Sequence, residues 1–529
     1  MILAVILVPV GIFLVLMFNS NTKIDFMKRF IFAFLVLTTG STFLSGCKKF
    51  LNVVPVDNLS GNNYWQNQKD VEAFTTGIYN QFRENTLSSA YFPTAGDLRC
   101  SPAIATSGLG RNYITLIVYN QLNVLVQTDD YFSEIFNYVG MTKWDNWYKM
   151  VQSANILYVQ ADKVEALTPN QRKQYRAEAV FLRNLAYFFM VRQFGDIPYY
   201  TKAYNQDPLP RMDMAKVLNN CIADMLAVKD DLPWTYEDPS IVGIRAMKGS
   251  AIALLMHMNM WAAGFEAGDK TKYYRAVDEL GNEIMTANKY ELLPITRTKE
   301  IFKGRTKESL FEVLRSLNYG EYSNGNYLYN TFTDMVLHYP HKPVKSITKS
   351  YIYYDSKFIN KLYPTGETDK RGEYWFDPKT IYATDGSWEL LKFVNIFAEE
   401  GEDVLPDDDL IVFRLPDAIL LRAEAQAELG DDAGAMASAN VVRKRAEADP
   451  FSALSGKELK DAIWYERCRE LMGEGHYYFD LVRTKKVLDR EYCFHPISVE
   501  NFKAGAWAWP IDKGALVNNP YMNLNGYWR

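Results

Sequence analysis

Apolar residues recur at helical spacing over most of the chain. Between residues 64 and 83, Tyr64, Val71, Phe74, Ile78, Tyr79 and Phe82 return at helical intervals. Thr168–Pro169–Asn170–Gln171 is a helix start: Thr168 as N-cap, Pro169 at the first helical position, Gln171 closing a capping box. That helix runs to about Phe194, where Gly195 stops it. Further helices are predicted over Met212 to Leu232, Arg245 to Phe265, Tyr273 to Asn288, Asp409 to Gly430 and Asp432 to Ala446. Trp464, Tyr465, Cys468, Leu471 and Met472 give one more apolar face, opposite Glu466, Arg467, Arg469 and Glu470. Gly473 and Gly475 close that helix, and Asp480–Leu481–Val482–Arg483 opens a new helical segment. Two stretches break the helical pattern, 85–130 and 291–408. They mix Tyr, Gly, Asn and Pro in a way that favours loops and short strands.

The first residues read differently. Met1 to Phe18 is apolar and uncharged, close to the ~20 residues that span a bilayer. From Met27 a second unit begins: Lys28–Arg29 as a positive start, Phe30 to Leu37 as an apolar stretch, then Leu44–Ser45–Gly46–Cys47. The tetrad resembles the bacterial lipobox, in which small residues lie extended for cleavage before a Cys whose sulfur takes a diacylglycerol. The expectation is a lipoprotein signal peptide at 27–46, with 1–26 an upstream extension and Cys47 the lipidated (diacylglyceryl and palmitate) residue. A membrane-spanning first helix is the competing reading. Residues 47–60 contain Pro55 with Asn and Asp and suit an extended tether.

Composition narrows the function classes. The 529 residues are 48% hydrophobic, enough for a core larger than one typical domain needs. Lys and Arg number 58 against 63 Asp and Glu, and this slightly acidic balance argues against a nucleic-acid partner. The five Cys show no CxxC spacing, and the five His form no HExxH or clustered ligand set. No metal site, dithiol redox motif or cofactor is expected. No GxSxG, P-loop or GxGxxG occurs either. Glu470 and Glu474 have i,i+4 spacing that can serve acid–base chemistry. Pairing with Arg467, Arg469 or Arg483 at a helix junction is the structural reading preferred for them.

Several separated motifs carry a family resemblance. Glu466, Arg467, Glu470, Leu471, Glu474, Gly475, Asp480, Leu481 and Arg483 resemble the C-terminal signature of the SusD/RagB family, outer-membrane lipoproteins of Bacteroidetes. The signature commonly has Arg three residues before the Asp. This chain has Tyr477 there, so no ion pair to Asp480 is expected from that position. Trp144, Tyr148, Ala154 and Asn155 match a second stretch, and Glu178, Ala179, Leu182, Arg183, Tyr187, Phe188, Phe194, Gly195 and Pro198 a third. The third departs at Asn184, where Ala is usual. The tail from Trp509–Pro510–Ile511 to Asn519–Pro520 and Gly526–Tyr527 is similar to the family's ending, with Asp512 replacing a Pro. Ala423, Ala425 and Ala427, a turn and a second Ala-rich helix resemble a tetratricopeptide hairpin without a strict repeat of roughly 34 residues.

The resemblance implies a mainly α fold: degenerate tetratricopeptide-like helix pairs with long irregular loop insertions and short strands, spanning 61–529. It also implies a surface-exposed, lipid-anchored outer-membrane protein. Such a protein binds a nutrient, most often a glycan, and hands it to a TonB-dependent, SusC-like barrel transporter. It is not expected to be an enzyme. A helical-repeat interaction scaffold and a glycoside hydrolase, which needs two carboxylates across a cleft, are the alternatives. Sugar rings want exposed aromatic planes beside polar groups, and the two insertions hold the candidates: Arg111 and Tyr113 in the first; Tyr319, Tyr322, Asn324, Tyr327, Trp375 and Trp388 in the second.

Overall fold

Ten helices carry the scaffold: α1 (Gln68–Leu87), α2 (Asp145–Ala161), α3 (Pro169–Phe194), α4 (Met214–Leu226), α5 (Lys248–Phe265), α6 (Thr271–Thr286), α7 (Leu415–Glu428), α8 (Asp432–Arg445), α9 (Gly456–Glu470) and α10 (Tyr477–Arg483). This computed structural model describes residues 64–87, 90–108, 112–128, 136–316, 332–336, 349–393, 408–517 and 519–528. From α1 to α8 each helix packs on the next, and α9 returns to both α7 and α8. Nearest-neighbour stacking of this kind is how helical-repeat proteins bury a core without one central sheet.

Two helices lie inside the stack. In α3 every residue from Ala177 to Phe194 is buried, and in α5 every residue from Gly249 to Gly264. Helix α5 is apolar nearly all round, as an internal helix requires, whereas α3 also buries Glu178 and Arg183, paired with Arg245 and Asp224. Helix α6 instead buries one stripe, Tyr273, Val277, Leu280, Gly281 and Ile284. The start of α3 has the predicted cap: Gln171 N–H donates to Thr168 Oγ1 (3.3 Å) and Thr168 N–H to Gln171 Oε1 (2.9 Å). Gly195 ends it with φ 75°.

Four short strands form two antiparallel pairs. β1 (Ala103–Ala105) pairs with β3 (Ile352–Tyr354), and β2 (Ser309–Val313) with β4 (Leu410–Arg414). The sequence reading placed a helix from Asp409, but Leu410 to Arg414 is strand and the helix begins at Leu415. Ile411, Val412 and Phe413 prefer the extended state, and Pro416 starts the helix behind them. Both β2 and β4 are wholly buried. The stretch 85–130, expected to be irregular, contains a π-helical turn at Phe92–Asp97 and helices at Asn112–Val118 and Leu122–Leu125. Among the described residues no helix is long and apolar enough to cross a membrane. Cys47 and the whole 1–60 region lie outside the described residues.

Candidate functional site

The Trp464–Arg483 segment is α9, a tight turn, and α10. Gly473 and Gly475 both take positive φ (79° and 80°), which non-glycine residues resist. At Gly475 the backbone also touches the π-helical turn: a Cβ on Gly96 would stand 2.2 Å from Gly475 O. Charges from distant segments converge on this turn. Glu470 receives Arg371 Nη1 at 2.9 Å, Arg414 Nη1 at 2.5 Å and Arg445. Glu474 receives Arg414 Nε and Lys392 Nζ, each at 2.6 Å. Glu466 pairs with Arg371 and Arg443, both at 2.7 Å, and with Arg469 at 3.1 Å. The expected partners Arg467 and Arg483 go elsewhere. Arg467 bridges Asp417 and Asp480, each at 2.9 Å, and Arg483 bridges Asp480 (2.8 Å) and Glu424 (2.5 Å). Asp480 thus has its cations without one at position 477.

Burial pushes the Glu470 carboxyl up, but Arg445, Arg414 and Arg371 outweigh it and hold it well below the ordinary carboxylate range. Asp480 is likewise brought down to about 2 by Arg467 and Arg483 against burial. Carboxylates pinned as anions and enclosed on all sides neither exchange protons near neutrality nor meet a substrate. This network holds the fold.

One further cluster has ligand-type atoms within 4.8 Å of one another: His257, Asp417 and His476, all buried. His257 Nε2 lies 2.6 Å from Asp417 Oδ2, and Arg467 holds the other oxygen. Burial drives both imidazoles down, His476 to about 4. For His257 burial outweighs the attraction of the Asp417 carboxylate, and Arg467 and Arg192 add a smaller push in the same direction as burial. The Asp417 carboxylate is already satisfied by Arg467 and His257, so the cluster reads as a buried core group of two neutral imidazoles around an ion-paired carboxylate.

Three of the predicted ligand rings are core. Tyr113 is buried and its hydroxyl donates to Met335 O (2.7 Å). Trp375 is buried, donates Nε1–H to Thr298 Oγ1 (3.1 Å), and has Lys392 Nζ 4.3 Å from its ring centre. Trp388 is buried, donates to Ile381 O (3.1 Å) and stacks on Tyr354. The expectation that these rings face solvent is corrected: each found an internal acceptor for its polar atom, so nothing keeps it at the surface. Arg111, Tyr319, Tyr322, Asn324 and Tyr327 lie outside the described residues.

A ring that the sequence reading passed over does face solvent. Tyr119 is 55% exposed and sits tilted on His495, ring centres 4.1 Å apart. Phe494 beside it is 42% exposed and meets Phe358 edge-on. Tyr119 ends the Asn112–Val118 helix in a Schellman turn: Gln121 N–H donates to Leu116 O (2.8 Å) and Asn120 N–H to Ile117 O (3.0 Å). Asn120 takes the left-handed conformation this turn requires, φ 56°. Its Oδ1 accepts from Arg99 Nη2 (2.7 Å) and Nε (3.1 Å), and its Nδ2 donates to Ala506 O (3.2 Å). Arg99 is fully buried over the Tyr478 ring. The exposed ring therefore stands on a rigid base, and the next exposed polar residues in the chain are Gln121 and Asn123. The sequence signal was the Tyr119–Asn120 pair after a buried apolar run.

A second concavity, ≈ 560 Å³ in water-accessible space, is walled in part by Phe265, Phe502 and Trp507 with Arg211, Asn523 and Asn525. Lys485 Nζ already lies 3.5 Å from the Phe265 ring centre and 4.8 Å from that of Phe502. Phe265 and Phe502 stack on each other and Trp507 is buried, so little ring face is open to a sugar. The Tyr119 platform is the better candidate.

Comparison with known proteins agrees with this architecture. The SusD family model matches residues 345–528, and a model described as "Starch-binding associating with outer membrane" matches 62–259. A solved SusD homolog from Bacteroides thetaiotaomicron VPI-5482 is 41% identical, with TM-score 0.79, over 88% of this chain and 100% of its own. The chain belongs to the SusD family. A laminarin binding SusD-like protein shares the SusD-family fold at 21% identity and TM-score 0.66, over 87% of this chain and 99% of its own. SusD-like protein P38 of Formosa agariphila is 24% identical over 94% of this chain and 99% of its own length. The mainly α reading, with helix pairs and short strands, is thus the fold of this SusD-family chain.

Proposed function

We propose that this chain is a non-catalytic, surface-exposed outer-membrane lipoprotein. It captures a glycan on the face around Tyr119 and Phe494 and passes it to a partner TonB-dependent transporter. The observation that carries the binding part is an exposed aromatic plane on a rigid turn, followed in sequence by the exposed residues Gln121 and Asn123. Apolar C–H faces of a sugar stack on such a ring while its hydroxyls reach polar side chains. Family membership supports the ligand class: the matched description names starch, and a relative of the same fold is named for laminarin. The sequence Leu44–Ser45–Gly46–Cys47 supports the anchor, and fatty-acid labelling of the parent chain but not of Cys47→Ala would check it. Recovery with a barrel protein from membranes in mild detergent checks the partner; isolation as a lone monomer counts against it.

Native gels containing laminarin or starch test the platform. The parent protein should be retarded by one of them. Tyr119→Ala should weaken that retardation by about tenfold, the equivalent of ~1.4 kcal/mol, with melting unchanged. Retardation equal to the parent's in both Tyr119→Ala and Phe494→Ala would remove this face from consideration.

A further inference from the structure

Beneath the platform two cysteines meet that lie 393 residues apart in sequence. Cys493 directly precedes Phe494 and His495; Cys100 directly follows Arg99. The Cys493 thiol donates to Cys100 O at 3.5 Å, which brings the two cysteines side by side. Both residues are buried, at 1% and 0% exposure. Cys100 is tied to the ring-bearing helix as well, since its N–H donates to Val118 O (3.1 Å). The two halves of the Tyr119–His495 stack thus stand on the two halves of a thiol pair. The remaining described cysteines, Cys221 and Cys468, do not share this arrangement: Cys221 lies on α4 and Cys468 on α9.

We infer that Cys100 and Cys493 form a disulfide in the mature protein, and that this bond locks the platform. The inference rests on the proposed location outside the cytoplasm, where thiols encounter oxidants. The chemistry is thiol–disulfide exchange with a disulfide-bearing oxidant, an oxidoreductase in the cell or oxidised glutathione in vitro. One cysteine thiolate attacks the oxidant's disulfide, forming a mixed disulfide and releasing one oxidant sulfur as thiolate. The second cysteine thiolate then attacks the protein sulfur of that mixed bond and releases the other. Both protein thiols lose their protons, and the electron pair ends on the oxidant as two thiols. The hydrogen bond that the Cys493 thiol donates to Cys100, and burial after it, push that thiol well above its ordinary range in the reduced fold. Exchange therefore belongs to folding, before the pair is sealed. Afterwards the same burial shields the bond from reductants.

The test uses purified full-length protein, refolded in a glutathione buffer at an oxidising ratio, then denatured and alkylated without reductant. Peptide mapping should find Cys221 and Cys468 alkylated, and Cys100 and Cys493 linked in one peptide pair lighter by two hydrogens. In Cys100→Ala, Cys493 should become alkylated. Reductant should lower the melting temperature of the parent and leave that of Cys100→Ala unmoved. Full alkylation of Cys100 and Cys493 in refolded parent protein overturns the inference, as does a Cys493 that stays blocked in Cys100→Ala. A pair that links in this buffer but is reduced in protein isolated from cells contradicts the proposed location instead.

Discussion

At the scale of single residues, Glu470 shows what a buried charge does here. Arg371, Arg414 and Arg445 all converge on it. Burying an ion pair gains little over an apolar core, but removing one member strands the others without water. Glu470→Ala should cost about 3–5 kcal/mol, read as a lower midpoint in chemical denaturation, and Glu470→Gln should recover part of it. The sequence made Glu470 structural but chose nearby arginines as its partners. The true ones stand 56 residues away for Arg414 and 99 for Arg371, distances that no local spacing encodes. Aromatic residues failed for a related reason. Tyr113, Trp375 and Trp388 sit in loop-like composition as Tyr119 does, and only packing sorts the buried ring from the exposed one.

At the scale of elements, caps and periodicity carried the helices. Thr168, Gln171 and Gly195 place both ends of α3 because their roles are local. Strand β4 escaped because five buried residues leading straight into a helix look like that helix's first turns. The contact between the π-helical turn and the α9–α10 turn was equally illegible, since it joins two glycines, Gly96 and Gly475, by their backbones. It yields a sharp prediction. Gly96→Ala places a methyl 2.2 Å from a carbonyl oxygen with no flexible side chain to yield. The variant should lose about 1–3 kcal/mol, as overpacked cores do, while Gly77→Ala on α1, with open space around it, should be neutral or slightly stabilising. Thermal melts of the two variants side by side check both.

At the scale of the whole molecule, the first response to acid comes from the imidazoles. His476 has a folded pKa of about 4 against 6.5 when free. In that interval the unfolded chain binds the proton that the fold refuses. Stability is therefore full above pH 6.5 and falls as pH drops toward 4, by about 3 kcal/mol from this group, with His257 acting in the same direction. Asp480 adds a further loss only between 3.8 and about 2. Raised carboxyl pKa values at Asp97, Glu178 and Glu312 act in the opposite sense, so the check is a difference: from pH 7 to 4 the denaturation midpoint of His476→Gln should fall less than the parent's. The charge network also sets an order of events. Arg371, Lys392, Arg414, Arg443 and Arg445 are made before Glu466, Glu470 and Glu474 exist. A growing chain that has not reached α9 holds those cations with, among the described residues, Glu308 and Asp369 as their ion-pair partners, and water is the better host. The helical stack can assemble from its first half, yet its centre stays wet until the signature arrives. On the export route proposed for it, that delay would keep the chain threadable until nearly all of it has been synthesised.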